Sequence, residues 1–262
     1  MGVRRFGRVN GLGLATLAGR EVRRFVAVWQ QTLLAPVITA ALFLTVFALA
    51  FGAAKRGEVL GVPFLDFLAP GILMMTVIQN AFANTSSSIV IAKVQGNIVD
   101  TLMPPLAPWE ILAGYLAGAV ARSLAVAVLI AAGLFLALGI GVAHPLWALL
   151  WIVLGAALLG GLGVVAAIWA NKFDQMAAIT NFIVTPLSFL SGTFYSVETL
   201  PPAFRSFTHF NPVFYLIDGA RYGFLGTSDA SPWQGLAVVL PALALVLGLA
   251  WAWLRAGYRM KA

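Results

Sequence analysis

Residues 197–226, VETLPPAFRSFTHFNPVFYLIDGARYGFLG, decide how the rest of this chain is interpreted. Glu198, Arg205, Asp218 and Arg221 make the stretch too charged to cross a bilayer. It is also too aromatic for an ordinary water-exposed loop. The combination predicts structure that lies in a membrane interface or dips part-way into it.

Two helix-start signals divide this stretch. Pro201 and Pro202 open a first short helix, and Asn211 followed by Pro212 opens a second. Asparagine caps a helix N-terminus, and proline suits the first helical turn because it needs no N–H donor there. We therefore expect two short re-entrant outer half-helices within 198–226.

The bulk of the chain has the composition of a membrane-embedded protein. Of 262 residues, 61% are hydrophobic and 10% are charged, whereas a soluble domain has about 45–50% apolar and about 25% charged residues. A spanning helix needs about 20 apolar residues. The long uncharged runs predict an all-α polytopic membrane protein with six transmembrane helices, at roughly 31–52, 68–92, 110–139, 146–170, 175–195 and 232–254.

Lysine and arginine predict the orientation, because cytoplasmic loops carry an excess of these residues. Six spans place both ends on one side. That side holds eleven of the sixteen Lys and Arg residues, against four on the other side. Both termini are therefore predicted to be cytoplasmic. No soluble module gathers the basic residues, so no nucleic-acid partner is expected.

Residues 12–29 predict an amphipathic helix in the cytoplasmic headgroup layer, in contact with membrane lipids. Arg20, Arg23 and Arg24 fall opposite a broad apolar arc, and Glu21 is a misfit inside that arc. The alternative is a simple basic anchor that sets the topology.

The second and fifth predicted spans carry polar residues. Gln79, Asn80, Asn84 and Ser88 lie near one face of the second span. Polar side chains in hydrocarbon are costly unless they meet another helix or a water-filled space. Both interpretations stay open: a stripe facing a translocation path, or hydrogen bonding between helices. In the fifth span, Pro186 predicts a kink because proline removes a backbone donor.

Arg122 is the one charge predicted to lie deep in a span. It follows Trp109, at the cytoplasmic edge, by 13 residues, which is about 20 Å of helix. A charge at that depth needs a partner and is a candidate for function. The preferred alternative is a structural ion pair with Asp66, Glu198 or Asp218, and another is snorkelling to the outer headgroups.

Gly114 and Gly118 share the helix face of Arg122 at four-residue spacing. This pattern lets another helix approach closely, but it does not identify the partner.

The sequence lacks the motifs for several kinds of chemistry. No phosphate-binding loop of the form G-x-x-x-x-G-K-S/T is present, so the chain is not expected to hydrolyse ATP. His144 and His209 are far apart and lack an acidic cluster, so no metal site is expected. The chain is not expected to be an enzyme.

Four stretches resemble the permease subunits of type-2 ABC transporters, a bacterial export family. They are WQQTLLAP at 29–36, APGILMM at 69–75, TPLSFLSGTFYS at 185–196 and NPVFYLIDGARYGFLG at 211–226. The resemblance covers essentially the whole chain, so 1–262 is expected to be a single transmembrane domain of the bacterial cytoplasmic (inner) membrane.

The resemblance implies a dimer of permeases, either a homodimer or a heterodimer. Two copies of a separate ATPase subunit would carry ATP and Mg²⁺, and this chain would bind no cofactor. The cytoplasmic loop 93–109 would be a coupling loop seated on the ATPase, with contacts from Gln95, Gly96, Asn97, Ile98, Asp100 and Leu102.

The resemblance also implies a translocation path at the dimer interface, lined by the second and fifth helices. Its candidate residues are Asn80, Asn84, Ser88, Asn181, Thr185 and Ser188. The half-helices would form an outer gate close to the headgroups, with Arg205, Asn211, Pro212, Asp218 and Arg221.

The expected function is that of an ATP-driven exporter permease. The sparse charge in the core favours an amphiphilic substrate: a drug-like molecule, a lipid or a lipid-linked glycan. The alternative is an ATP-independent secondary carrier or channel, although no convincing internal repeat of the kind typical of carriers is found.

Overall fold

The computed structural model describes residues 9–52, 58–201, 205 and 208–260, and within them every regular element is helical. The predicted first half-helix falls largely on residues 202–204 and 206–207, which lie outside the described residues. The same holds for 1–8 and 53–57. The α-helices are α1 (Gly11–Ala27), α2 (Ala35–Gly52), α3 (Phe64–Val94), α4 (Val99–Leu102), α5 (Pro108–Leu138), α6 (Pro145–Trp169), α7 (Phe173–Ile179), α8 (Thr185–Leu190), α9 (Pro212–Leu225) and α10 (Pro232–Ala256).

Among the described residues, five helices are long and apolar enough to cross a membrane. They agree within a few residues with five of the six predicted spans, so the all-α polytopic class is confirmed. Their bounds are Gln30–Ala50, Phe64–Val94, Pro108–Leu138, Pro145–Trp169 and Pro232–Ala256.

The segment predicted to span at 175–195 has a broken form. It consists of α7, a π-helical turn at Thr180–Val184, and α8. Pro186 lies in the first turn of α8, where its missing N–H disturbs the regular hydrogen-bond ladder. The segment ends at Leu190 rather than near 195, because Gly192 adopts a φ of 80° and turns the chain.

Cationic side chains bring several helix ends together at one end of the bundle. Lys93 Nζ donates to the carbonyls of Ile168 (2.8 Å) and Ala170 (2.6 Å). Arg259 Nη1 donates to the carbonyl of Trp169 at 2.8 Å. Cations suit a helix C-terminus because its free carbonyls carry partial negative charge. The ends of α3, α6 and α10 therefore meet at one end of the bundle, called here the α1 end.

The opposite end, called the α9 end, is organised by the second predicted half-helix. Asn211 Oδ1 accepts from the backbone N–H of Val213 at 2.9 Å, and Pro212 occupies the first turn, as predicted. The N–H groups of Ala143 and His144 donate to carbonyls near the end of α9. This half-helix is therefore well anchored beside the start of α6.

Helix α3 is the core of the bundle, whereas α2 and α10 lie at its periphery. The buried share of the most apolar window is 83% for α3, 6% for α2 and 17% for α10. Small residues allow close packing around α3. A Cβ added at Gly163 of α6 would lie 2.2 Å from Thr85 Oγ1, and Thr85 donates to the carbonyl of Gly160 at 2.8 Å.

Candidate functional site

Helix α1 packs along the first half of α5 through Leu17, Glu21 and Phe25, which are buried. A Cβ added at Gly114 would lie 2.6 Å from Leu17 Cδ2, and one added at Gly118 would lie 2.4 Å from Glu21 Cβ. The partner of the predicted close-packing face is therefore α1. Fewer residues of α1 are buried than the apolar arc over 12–29 predicts, because Val28 and Trp29 remain exposed.

Glu21 is the centre of an inner cluster, defined here as Arg20, Glu21, Arg24, Asn84 and Ser88. Its fully buried carboxylate accepts from Arg20 and Arg24, both at 3.2 Å, and from Ser88 Oγ at 2.8 Å. The apparent misfit in the amphipathic pattern is thus the acidic residue that joins α1 to α3. Sequence reasoning noticed it and assigned it no role.

The inner cluster also connects the coupling loop to the core. Arg20 Nη1 donates to Thr101 Oγ1 of α4 at 2.9 Å. Arg24 Nη2 donates to the carbonyl and to the side-chain oxygen of Asn84, at 2.7 and 3.1 Å. Helix α1 therefore bridges α4 and the middle of α3.

The predicted coupling loop presents most of its candidate residues to the surface. Ile98 differs: it is 1% exposed and, with buried Thr101, holds the loop against the bundle. It therefore anchors the loop rather than offering a docking contact. The candidates on the surface are Gln95, Gly96, Asn97, Asp100 and Leu102.

A cavity of about 410 Å³ separates α1 from this loop. It combines polar groups with a proline-rich wall. Its lining includes Asn10, Arg20, Asp100, Thr101, Pro104 and Leu106.

The polar stripe of α3 is engaged in bonds between helices. Asn80 accepts from Arg122, Asn84 accepts from Arg24, and Ser88 donates to Glu21. Of the two interpretations, interhelical hydrogen bonding describes this arrangement.

The candidates on the broken segment differ in exposure: Asn181 is exposed, Thr185 half-buried and Ser188 buried. Ser188 donates to the carbonyl of Val184 within its own segment. Among the described residues, no hydrogen bond joins this set to the α3 stripe.

The predicted ion pair of Arg122 is wrong. Its Nη2 donates to Asn80 Oδ1 at 2.6 Å, and its Nε is buried without an acceptor in the part of the chain that the structure describes. Asp66 precedes Asn80 by 14 residues, which is about 21 Å along α3. Asp218 is bound to Arg221 instead. Nor does Arg122 reach a polar surface, since the residue is 8% exposed.

Arg221 is the centre of an outer cluster, defined here as Phe67, Gly192, Asp218, Arg221 and Asp229. Its guanidinium is fully buried, 3.3 Å from Asp218 Oδ1 and 3.7 Å from Asp229 Oδ2. It donates to the carbonyls of Phe67 (3.3 Å) and Gly192 (2.9 Å) and lies 3.7 Å from the centre of the Phe67 ring.

Asp218 is held from a second side. Its carboxylate accepts from the backbone N–H groups of Asp229 and Ala230, at 2.9 and 2.8 Å. Burial raises the pKa of the Asp218 carboxyl, whereas Arg221 and these two amides oppose that rise. The outer cluster thus ties α9 to the α9–α10 connection, to α3 and to the segment after α8.

Asp218 and Arg221 are thus enclosed by protein and are not exposed at the surface of the bundle. They are 2% and 0% exposed, because α9 packs inward against α3 and α6. Arg205 is exposed and donates to the carbonyl of Leu200. Asn211 Nδ2 donates to Ser191 Oγ at 2.8 Å, which joins α9 to the end of the broken segment.

The described residues form a polytopic helical bundle in which the amphipathic helix α1 is docked against α5 and the half-helix α9 is buried. Residues 13–225 match the family model described as ABC-2 type transporter. The chain belongs to the ABC-2 type transporter family.

Two relatives illustrate the likeness. The chain is 35% identical over 250 residues to the inner membrane transport permease YadH of Escherichia coli K12, covering 95% of this chain and 97% of that protein. It is 26% identical over 230 residues to nodulation protein J of Sinorhizobium fredii, covering 85% of each. The chain is accordingly a multi-pass transport permease of a bacterial inner membrane, in a family that associates with an ABC ATPase.

Proposed function

We propose that this chain is the permease of an ATP-driven exporter that moves an amphiphilic substrate across the cytoplasmic membrane. Two copies, forming a homodimer, associate with two copies of a separate ATPase subunit. ATP and Mg²⁺ bind to that subunit, and this chain has no ATPase activity and no cofactor of its own. Six segments cross the membrane, with Phe173–Leu190 as the fifth, and both termini are cytoplasmic.

The observation that carries the proposal is the continuous set of contacts from the coupling loop to the core. Thr101 of α4 is bound to Arg20, and the adjacent Glu21 and Arg24 bind α3 through Ser88 and Asn84. A helix is stiff along its axis, so a push on α4 displaces α1 and thereby the polar face of α3. An ATPase docked against the coupling loop would push on α4 in this way.

The surface of the coupling loop fits a protein partner. Val99, Leu102 and Met103 are 50%, 37% and 76% exposed, and Asp100 lies among them. Exposed apolar residues beside a charge are typical of a contact surface rather than of a solvated connector.

An apolar groove beside the broken segment supports an amphiphilic substrate. It has a volume of about 660 Å³ and lies where that segment approaches α9. Apolar walls with a few polar groups suit a molecule that has both characters. The lining residues are Phe182, Ile183, Leu187, Leu190, Tyr195, Leu200, Pro201, Thr208 and Asn211.

The docking surface is tested by Asp100→Lys in a strain that also expresses the partner ATPase subunit. We expect co-purification of the ATPase to fall about tenfold, equivalent to about 1.4 kcal/mol, with membrane insertion unchanged. Asp174→Lys is the matched control, since Asp174 is exposed near the start of α7 and lies outside the coupling loop. Equal recovery of the ATPase with Asp100→Lys and with the unmodified chain would refute the docking assignment.

The reaction class is tested by reconstituting the permease with that ATPase in vesicles. We expect ATP hydrolysis to rise when the transported amphiphile is added, and no transport without ATP. Substrate movement that proceeds in the absence of the ATPase would instead identify an ATP-independent carrier or channel.

A further inference from the structure

Arg122 is a buried cation that lacks a counter-charge. All nine acidic residues of the chain lie within the described ranges, and none of them forms an ion pair with Arg122. Within the part of the chain that the structure describes, its one hydrogen-bond partner is the neutral oxygen of Asn80 at 2.6 Å. A buried charge of this kind costs several kcal/mol unless an opposite charge compensates it.

Two donors at this place have no acceptor in the described chain. They are Nε of Arg122 and Nδ2 of Asn84, and both atoms are buried. Asn84 Nδ2 lies 3.3 Å from the Cβ position of Gly118, one turn before Arg122 on α5. Asn84 Nδ2 therefore lies beside α5 one helical turn before the residue that carries the second donor. Unpaired buried donors in a native fold call for an acceptor.

Arg24 is a second cation close to Asn84, and it adds to the positive electrostatic potential there. Arg24 Nη2 contacts Asn84 Oδ1 at 3.1 Å and remains 31% exposed. Arg20 and Arg24 both pair with the carboxylate of Glu21, which forms no ion pair with Arg122. Arg122 therefore adds a positive charge that no carboxylate of the described residues compensates by an ion pair.

We infer that Arg122 and Asn84 form an intramembrane site for the phosphate group of an anionic amphiphile. Phosphate accepts several charge-assisted hydrogen bonds at about 2.8 Å and matches the fork of a guanidinium. A phosphate group bound here supplies an acceptor for Arg122 Nε and a counter-charge for its guanidinium, with Asn84 Nδ2 as the second candidate donor. The inference rests on the proposed transport role: it assigns the substrate a phosphate headgroup, whose acyl or other apolar part stays in hydrocarbon.

The site is tested on the full-length permease alone, purified in an uncharged detergent. The probes are dioctanoyl phosphatidylglycerol, dioctanoyl phosphatidylcholine and inorganic phosphate, and the readout is the ligand-induced shift in melting temperature together with the dissociation constant. We expect phosphatidylglycerol to bind most tightly, because phosphatidylcholine has a compensated charge and inorganic phosphate lacks an apolar part. Equal binding of all three would overturn the inference.

Arg122→Gln is expected to weaken phosphatidylglycerol binding at least about tenfold and to abolish the melting shift. Arg23→Gln is the matched control, because Arg23 is exposed and, among the described residues, its side chain bonds only the carbonyl of Gly19 in its own helix. An equal loss in both variants would show surface attraction of anionic lipid and refute the site. A purely structural arginine would change the melting temperature of the ligand-free protein and leave the ligand-induced shift intact.

Arg122→Lys provides a second test in case Arg122→Gln does not fold. Lysine keeps the positive charge but lacks the Nε donor. We expect an affinity between those of the unmodified chain and Arg122→Gln, and an affinity equal to that of the unmodified chain would overturn the role of Nε. No ATPase is present in these measurements. A failure of ATP coupling therefore leaves the binding result standing, and a failure of binding leaves the docking result standing.

Discussion

The inner and outer clusters use the same residue types in opposite proportions. The outer cluster places one fully buried arginine between two carboxylates that are each 2% exposed. The inner cluster places one fully buried carboxylate between Arg20 and Arg24, which are 44% and 31% exposed. The first is enclosed by protein on all sides, whereas the second opens toward the surface.

This difference bears on how each cluster responds to a load. A buried ion pair that loses a partner leaves an uncompensated charge, so its geometry is strongly held. Breaking an ion pair of a half-exposed arginine costs less free energy, because water solvates the guanidinium in place of the lost partner. The outer cluster is thus suited to keeping the α9 end in one shape, whereas the inner cluster can rearrange at a lower cost in free energy.

The largest expected effect is that of Arg221→Met. It leaves Asp218 and Asp229 buried without a cation and should lower the unfolding free energy by about 3–5 kcal/mol. Thermal unfolding in detergent measures this loss. Arg205→Met is the control, because Arg205 is exposed and should change stability little. Similar losses in the two variants would remove the contrast between enclosed and open arginines.

An intermediate effect is expected for Gly118→Ala, since the new Cβ would lie 2.4 Å from Glu21 Cβ. Overpacking of this kind costs about 1–3 kcal/mol and should raise hydrogen exchange in α1. Gly133→Ala on the same helix is the control, because nothing lies within 4 Å of its Cβ position, and it should stabilise α5 by up to about 1 kcal/mol. Unchanged exchange in α1 would mean that its docking does not depend on this contact.

The smallest effect is expected for Glu21→Gln, about 1 kcal/mol. Glutamine keeps an oxygen that accepts from Ser88, and the side chains of Arg20 and Arg24 become solvated by water. Hydrogen exchange should rise in α1 and stay unchanged in α9. The exposed Glu58 supplies the control variant Glu58→Gln. A loss as large as that of Arg221→Met would show that the inner cluster is as rigid as the outer one.

Local patterns predicted the long helices well. The uncharged runs located five helices within a few residues, and the Asn211–Pro212 pair marked the start of α9. Composition and spacing suffice here because a membrane helix satisfies its own backbone hydrogen bonds. The end of α8 was misjudged, since the turn at Gly192 depends on contacts such as Thr193 Oγ1 with the carbonyl of Ser188.

The charged sites were predicted less well. Arg122, Asp218 and Arg221 were recognised as unusual, but their partners were not identified. Asp229 and the carbonyls of Phe67 and Gly192 carry no sequence signal for binding Arg221. Glu21 did carry a sequence signal, since a carboxylate inside the apolar arc of an amphipathic helix predicts a buried partner.

The local sequence predicts which segments are helical and apolar and where the cap of α9 falls, and it places no acidic residue next to Arg122. These properties depend on neighbours within a few residues along the chain. The packing of the helices in space determines that Gly114 and Gly118 receive α1 and that Glu21 joins α1 to α3. It also determines that Arg221 is enclosed with two carboxylates, whereas Arg122 has no ion-pair partner among the described residues. Those outcomes depend on which helices become neighbours in space, because the energy of a buried charge is set by the groups that surround it.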